Sequence, residues 1–292
     1  MAAGEIVVGV DGSPASLHAA LWAARAAARH GAALTVLTAV DEGVLPRGHD
    51  DPARSARAQD AARDVLRRAA AHLDHVFPGH PVVRTDAVEG DLGTAVARRA
   101  GPLRMVVVGR GVHRPEGSPL GSTAVALALG GHGVTVVVPG TAAADAPRQV
   151  VLALPAEVDE EVVRVAVEEA RAARCPLRVV HVTRAPAVVE ALRDDWGAGE
   201  PWWAVAAARV DARVAPAAAE AGVPVSVHVA EGAVPTTLLS QVTSHDELVV
   251  GGRRHRPGVA RTWGSVVDQV LRRSVGVVVV VHPARRDRGR RR

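Results

Sequence analysis

The sequence predicts an α/β fold in which two tandem units each wind helices around a five-stranded, mainly parallel sheet. Short runs rich in Val, Leu and Ala alternate with longer helical patterns along all 292 residues, which is typical of strands buried on both faces. The length suggests two domains, at roughly 150 residues per domain. The second half also repeats the strand patterns of the first, so that LTVLTAV at 34–40 is followed 143 residues later by LRVVHVT at 177–183.

The first unit opens with an apolar strand, EIVVGV at 5–10. Ser13 suits a helix N-cap, Pro14 suits the first helical position, and Gly31 suits the cap after the last turn, so a helix is predicted between them. Hydrophobic patterns and breakers place the other elements. Further strands are predicted at 34–40, 81–88, 103–108 and 134–138, with helices at about 51–76, 92–100 and 124–129.

The predicted domain boundary lies in GTAAADAP at 140–147, whose small residues and proline indicate a linker. The domains are expected at 1–142 and 148–283, and the second should repeat the βαβαβαβαβ order of the first. The Arg-rich end at 284–292 is predicted to be disordered.

Composition excludes several classes of function. The net charge is only +4, every basic residue is arginine, and acidic residues are spread throughout, so nucleic-acid binding is not expected. The single cysteine excludes an intramolecular disulfide. Neither a signal peptide nor an apolar run of about 18 residues is present, which favours a cytoplasmic protein without membrane contact. His72, Asp74 and His75 are metal-ligand types at helical spacing, but they have no cysteine partner and no HExxH pattern, and nucleophile motifs are missing, so no metal site and no catalytic residue are predicted.

A glycine-rich loop follows the fourth predicted strand of each unit. It reads VVVGRGVHRPEGSPLGST at 106–123 and LVVGGRRHRPGVARTWGS at 248–265. The chain contains no lysine, which excludes a Walker loop, and Arg114 occupies the third glycine position of a Rossmann fingerprint. Glycines let the backbone approach a ligand, and the first turn of the following helix offers free N–H groups that suit phosphate.

The opening VVGVDGSP, the βα repeat and the long-spaced glycine loop resemble the universal stress protein family, in a tandem form that covers nearly the whole chain. The resemblance implies an adenine nucleotide α-hydrolase-like fold with strand order 3-2-1-4-5, and ATP, with Mg²⁺ left open, bound between strands one and four. It also implies that the last strands of the two units pair as a pseudo-dimer, while association of two chains stays open. The residues that match the family's nucleotide site are Gly9, Val10, Asp11, Ala39, Gly109, Gly111, Gly121, Ser122 and Thr123.

The sequence departs from the family pattern at two places. Gly109 and Gly111 stand one residue closer than the family spacing, so either Gly111 is the second glycine after a deletion or Val112 has replaced it. In the second unit, VLALPAE aligns Leu154 with Asp11, which removes the carboxylate. The first unit is therefore the expected nucleotide site.

Two classes of function remain. One is an ATP-binding stress-response or signalling module whose contacts with an unidentified protein partner depend on nucleotide. The alternative is a degenerate tandem scaffold that acts by protein contacts alone, in which Asp11 only caps a turn and the glycine loop is a relic of ancestry. No enzymatic role is expected, although slow ATP hydrolysis stays open.

Overall fold

The computed structural model describes residues 4–40, 52–81, 83–97, 103–111, 122–130, 133–155, 159–183, 202–252 and 265–282. The elements of the first half are β1 (Glu5–Gly9), α1 (Pro14–His30), β2 (Ala33–Val40), α2 (Pro52–Val76), β3 (Val83–Glu89), α3 (Leu92–Ala97), β4 (Leu103–Gly109), α4 (Ser122–Gly130) and β5 (Gly133–Val138). Those of the second half are β6 (Gln149–Ala153), α5 (Glu160–Ala173), β7 (Leu177–Thr183), α6 (Trp202–Ala221), β8 (Val225–Glu231), α7 (Val234–Leu239), β9 (Asp246–Gly251), α8 (Ser265–Arg273) and β10 (Val277–His282).

These strands form one sheet, in the order β3-β2-β1-β4-β5-β10-β9-β6-β7-β8. Each half has the predicted order 3-2-1-4-5, and its strands are parallel. The halves meet where β5 pairs with β10 in antiparallel register, with Val137 opposite Val278. Both strands are nearly unbroken valine, so this pairing covers two apolar edges that would otherwise invite aggregation. The pairing of the last strands agrees with the pseudo-dimer that the family resemblance implies.

Helix α1 begins and ends at the predicted caps. The Ser13 side chain accepts a hydrogen bond from the Ser16 N–H at 3.2 Å, and Pro14 is the first helical residue. Gly31 adopts a left-handed conformation, φ 59°, and its N–H reaches the Ala27 and Ala28 carbonyls. Trp22 and many alanines form the buried face, so the helix packs closely on the sheet.

Two further predictions differ from the structure in detail. Helix α4 begins at Ser122 rather than 124, so Ser122 and Thr123 form its first turn. The predicted linker is fixed against the second half, because the Ala143 N–H donates to the Ser244 carbonyl at 2.7 Å and the Ala142 side chain is buried. None of the described helices is both long and apolar enough for a membrane span.

A buried polar cluster joins α1 to the second half. The Arg29 guanidinium donates to a carboxylate oxygen of Glu247 on β9 at 3.2 Å and lies over the Trp22 ring. On the next residue of α1, the His30 Nε2 lies 2.9 Å from a carboxylate oxygen of Glu169 on α5. Both carboxyl groups are almost fully buried. The cluster therefore places ionisable groups where water has little access to them.

Burial raises the pKa of Glu247 to about 8; nearby Glu169 acts in the same direction and Arg29 opposes it. A protonated Glu247 still accepts the Arg29 hydrogen bond, so the contact and the raised pKa are compatible. Between the ordinary carboxyl range and about pH 8, the folded chain holds a proton that the unfolded chain releases. Stability should therefore fall as pH rises through this window.

Replacing Glu247 with Gln should flatten this dependence, because glutamine has the shape of the protonated carboxyl and does not titrate. We expect the two proteins to be similar near pH 5, and the variant to gain up to about 1.4 kcal/mol per pH unit over the wild type toward pH 8. Urea unfolding at several pH values measures this, with Glu168→Gln, at a partly exposed position, as the control. Parallel pH profiles for wild type and Glu247→Gln would contradict the assignment.

Candidate functional site

Several predicted site residues of the first half lie at the carboxyl edge of the sheet. Gly9 ends β1, opposite Leu37 of β2 and Val108 of β4. Ala39 and Gly109 lie just after Leu37 and Val108 in their strands, so they flank the carboxyl end of β1. This is where a doubly wound sheet reverses its winding direction and where its ligands bind.

Asp11 lies exposed in the turn after β1. Its Oδ1 accepts a hydrogen bond from the Ser13 N–H at 2.9 Å, and its own N–H donates to the Ser16 hydroxyl at 3.3 Å. Partial burial raises the pKa of Asp11, but the hydrogen bonds from Ser13 and Ser16 outweigh it and hold the pKa below its ordinary value. The carboxylate is thus ionised at neutral pH and shapes the turn.

Ala39 has backbone groups that point past the end of β1. The Gly90 N–H donates to the Val40 carbonyl at 3.0 Å, so the backbone of Val40 faces β3. Successive residues of a parallel strand face opposite neighbours, so Ala39 faces the side of β1. Because β1 pairs only as far as Leu37, no described backbone group pairs with Ala39 on that side.

The carbonyl of Val10 is already occupied. The Thr38 hydroxyl, which is buried, donates to it at 2.8 Å. The Val10 side chain also belongs to the core, at 5% exposure. Val10 therefore packs in the core below the site. Thr38, which the sequence did not single out, holds the backbone of Val10 in place where the chain leaves β1.

The glycines of the site have different roles. A Cβ on Gly9 would overlap the Leu92 side chain, and one on Gly109 would lie 2.5 Å from the Ala15 carbonyl oxygen. Both positions are needed for packing of helices against the sheet. A Cβ on Gly111 meets no described atom within 4 Å. Among the described residues nothing therefore packs on the Cα of Gly111, and its N–H donates to the Gly109 carbonyl at 3.1 Å.

The structure describes only part of the glycine loop and the start of α4, where the family resemblance implies the phosphates. Gly121 lies outside the described residues, while Ser122 begins α4 and Thr123 is exposed in its first turn. Arg68 of α2 was not predicted, yet its Nη2 lies 3.4 Å from the position of a Cβ on Gly12. Because α2 carries several arginines, the sequence gives no signal that singles out Arg68.

The equivalent edge of the second half differs, and one predicted alignment is wrong. The Val10 N–H donates to the Leu37 carbonyl of β2, and the Leu154 N–H donates to the Val180 carbonyl of β7. Leu37 and Val180 are equivalent, because they pair with the last residues of β1 and β6. Leu154 therefore corresponds to Val10, and Pro155 takes the place of Asp11. The alignment failed because a one-residue shift within an apolar strand changes little in the pattern. The carboxylate is still absent.

Two clefts lie away from the strand ends, along α2. One, of about 740 Å³, is bounded by α2 and Thr85 of β3, and its walls include Asp60 and Arg63, which pair with each other at 2.7 Å. Paired charges on an exposed helix face leave little for a ligand to satisfy. The described residues contain no group of three or more His, Cys, Asp or Glu side chains that could hold a metal ion.

The contrast between Gly109 and Gly111 can be measured directly. Gly109→Ala should lower the free energy of unfolding by about 1–3 kcal/mol, because a methyl group would press on the backbone of Ala15. Gly111→Ala should change it by less than about 0.5 kcal/mol. Chemical denaturation of both variants tests this, and equal losses would show that the two glycines do not differ in this way.

Comparison with known proteins identifies the fold and the family. The model of the universal stress protein family matches residues 3–139 and 147–282. A universal stress protein of Mycobacterium tuberculosis strain H37Rv is 34% identical over 190 residues, 63% of this chain and 68% of the relative. A second from that strain is 34% identical over 131 residues, 42% of this chain and 44% of the relative.

Two solved structures are similar over nearly the whole chain. A universal stress protein from Archaeoglobus fulgidus DSM 4304 has a TM-score of 0.66 at 16% identity, covering 96% of this chain and 97% of that one. A protein of unknown function from Pseudomonas aeruginosa PAO1 has a TM-score of 0.56 at 16% identity, covering 97% and 93%. The structures share the fold, and the family model matches both halves. The chain belongs to the universal stress protein family, in its tandem form.

Proposed function

We propose that the first half binds one adenine nucleotide, ATP, at the carboxyl ends of β1, β2 and β4, and that the nucleotide regulates contacts with a protein partner. The observation that carries this proposal is the backbone of Ala39, which no described backbone group pairs on the side of β1, together with the ionised Asp11 at the same edge of the sheet. Family membership supports the same class of ligand.

The backbone of Ala39 suits a purine base. Its N–H and C=O face the same side, and an adenine edge offers one ring acceptor beside one amino donor. Such a pair replaces the hydrogen bonds that the backbone would otherwise make to water. The Oδ2 of Asp11 adds an acceptor for an amino or hydroxyl group of the ligand.

Positive potential suits the phosphate end. The first turn of α4, with Ser122 and Thr123, carries free N–H groups and the positive end of the helix dipole. Arg68 lies beside Gly12 at the mouth of the site and carries a charge that attracts phosphate. The described surroundings of Gly111 let a phosphate approach the backbone closely.

The second half is a poorer candidate for the same ligand. Pro155 stands where Asp11 stands in the first half, and the His181 Nδ1 donates to the Leu154 carbonyl at 2.8 Å, at the position of Thr38. Proline lacks both the carboxylate and the N–H, so this edge has fewer groups to offer a nucleotide. We therefore expect one nucleotide per chain.

A scaffold without nucleotide is the second candidate, and the turn at Asp11 favours it. Oδ1 already accepts from Ser13, so the residue has a structural role without a ligand. The two functions differ in whether a nucleotide binds at all, which a binding measurement decides.

Equilibrium dialysis of the purified chain with ATP should give one bound nucleotide per chain. Asp11→Ala should weaken binding about 10- to 100-fold, since a hydrogen bond to a charged group is lost. The control is Asp60→Ala, which removes an exposed carboxylate from α2. No binding by the wild type would favour the scaffold. Two nucleotides per chain would contradict the expectation that only the first half binds. Unchanged affinity in Asp11→Ala would show that Asp11 does not contact the nucleotide.

A further inference from the structure

Arg110 connects the first glycine loop to the other half of the molecule. It directly follows Gly109, and its N–H donates to the Val138 carbonyl at 2.8 Å, which fixes the start of the loop against β5. Its side chain crosses to the second half. There the Nη1 donates at 2.6 Å to the Ser274 carbonyl and lies 3.3 Å from the carbonyls of Leu271 and Arg272.

These three carbonyls form the end of α8, which finishes at Arg273. The last carbonyls of a helix have no partner within the helix and carry its negative dipole end. Ser274 and Leu271 are fully buried, so water has little access to this end. The guanidinium of Arg110 therefore supplies both the hydrogen bonds and the charge that the end of α8 requires.

A reciprocal contact runs from the second half to the first. The His282 Nε2 donates to the Ala128 carbonyl of α4 at 2.9 Å; a carbonyl can only accept, so this nitrogen carries the proton. The His282 ring lies against Gly252, where a Cβ would overlap it. Gly252 is the counterpart of Arg110, because its N–H donates to the Val281 carbonyl at 2.7 Å just as Arg110 donates to Val138.

A helix follows each glycine loop. The C-terminal part of that helix accepts a hydrogen bond from a side chain that lies next to the start of the glycine loop in the other half. Helix α4 begins after the first loop, and His282, which packs on Gly252, binds near its end. Helix α8 begins after the second loop, and Arg110, in the first loop, binds its end. The two loops are connected through two helices and two cross-half contacts.

We propose that Arg110 is a positioning residue that couples the first glycine loop to the end of α8, so that nucleotide in the first half is sensed in the second. The nucleotide part of this inference rests on the proposed function. A ligand that orders the backbone at Gly111 also orders Arg110, one residue earlier, and with it the end of α8. The second half, with its poorer site, then reports the state of the first to a partner.

Arg104 provides a matched control. It also lies on β4 and crosses to the second half, where its Nη2 contacts a Glu168 oxygen at 3.3 Å. It stands near the opposite end of β4, away from the glycine loop. Arg104→Ala therefore removes a cross-half arginine contact without touching the loop.

Amide hydrogen exchange without nucleotide tests the physical connection. Arg110→Ala should speed exchange about tenfold or more at Gly111 in the first half and at Ser274, whose N–H bonds to the Val270 carbonyl, in the second. Arg104→Ala should leave both amides unchanged. His282→Ala should speed exchange at Gly252 but not at Gly111. Unchanged exchange at Ser274 in Arg110→Ala would overturn the connection.

Nucleotide binding tests the coupling. ATP should slow exchange at Ser274 in the wild type, and this response should vanish in Arg110→Ala, which should also bind ATP about tenfold more weakly. Arg110→Lys, which keeps a charge at the helix end, should restore part of both effects, and Arg104→Ala should bind like the wild type. Wild-type affinity and response in Arg110→Ala would overturn the inference while the proposed function stands. If the wild type binds no ATP, both the proposed function and the nucleotide coupling are wrong. The exchange measured without ligand would then still show whether Arg110 connects the first loop to the end of α8.

Discussion

The antiparallel pairing of β5 with β10 is the interaction on which the rest of the structure depends. It turns two five-stranded sheets into one sheet of ten strands and buries two valine-rich edges that neither half could leave in water. Because the pairing joins the halves edge to edge, α1 can pack on α5 and β9, and Arg110 can reach the end of α8. The contacts between the halves are consequences of this one junction.

The two halves have kept the same fold while their strand ends have diverged. Asp11 and Thr38 at the first edge correspond to Pro155 and His181 at the second. A buried strand tolerates only apolar residues of similar size, whereas the strand ends are free to change without loss of packing. Such divergence suits a chain in which one half holds a ligand and the other communicates its presence.

Much of the fold follows from local sequence. The caps of α1 are predicted correctly because Ser13, Pro14 and Gly31 each satisfy a backbone requirement that few other residues meet. The contacts between halves could not be predicted in this way. Arg110 and the Ser274 carbonyl are 164 residues apart in sequence, and Arg29 and Glu247 are 218 apart. Nothing in the residues around them indicates which partner the fold will bring near.

The sequence predicts where the candidate site lies in the fold but not how its residues pack. The carboxyl edge of the sheet follows from the parallel βα order, and Asp11 and Ala39 are there. The sequence does not distinguish Gly109 from Gly111, since both are glycines of one loop; the structure shows that Gly109 packs on Ala15, whereas no described atom packs on the Cα of Gly111. The same holds for Thr38, whose hydroxyl is one of many in the sequence until the fold places it on the Val10 carbonyl.

In our proposal the carboxyl edge of the first half holds an adenine nucleotide and that of the second half does not. A crystal structure of the chain grown with a nonhydrolysable ATP analogue tests this most directly. We expect density for one nucleotide, with its base against the Ala39 backbone and its phosphates at the start of α4. Density at the edge beside Pro155 instead, or no nucleotide at either edge at saturating concentration, would contradict it.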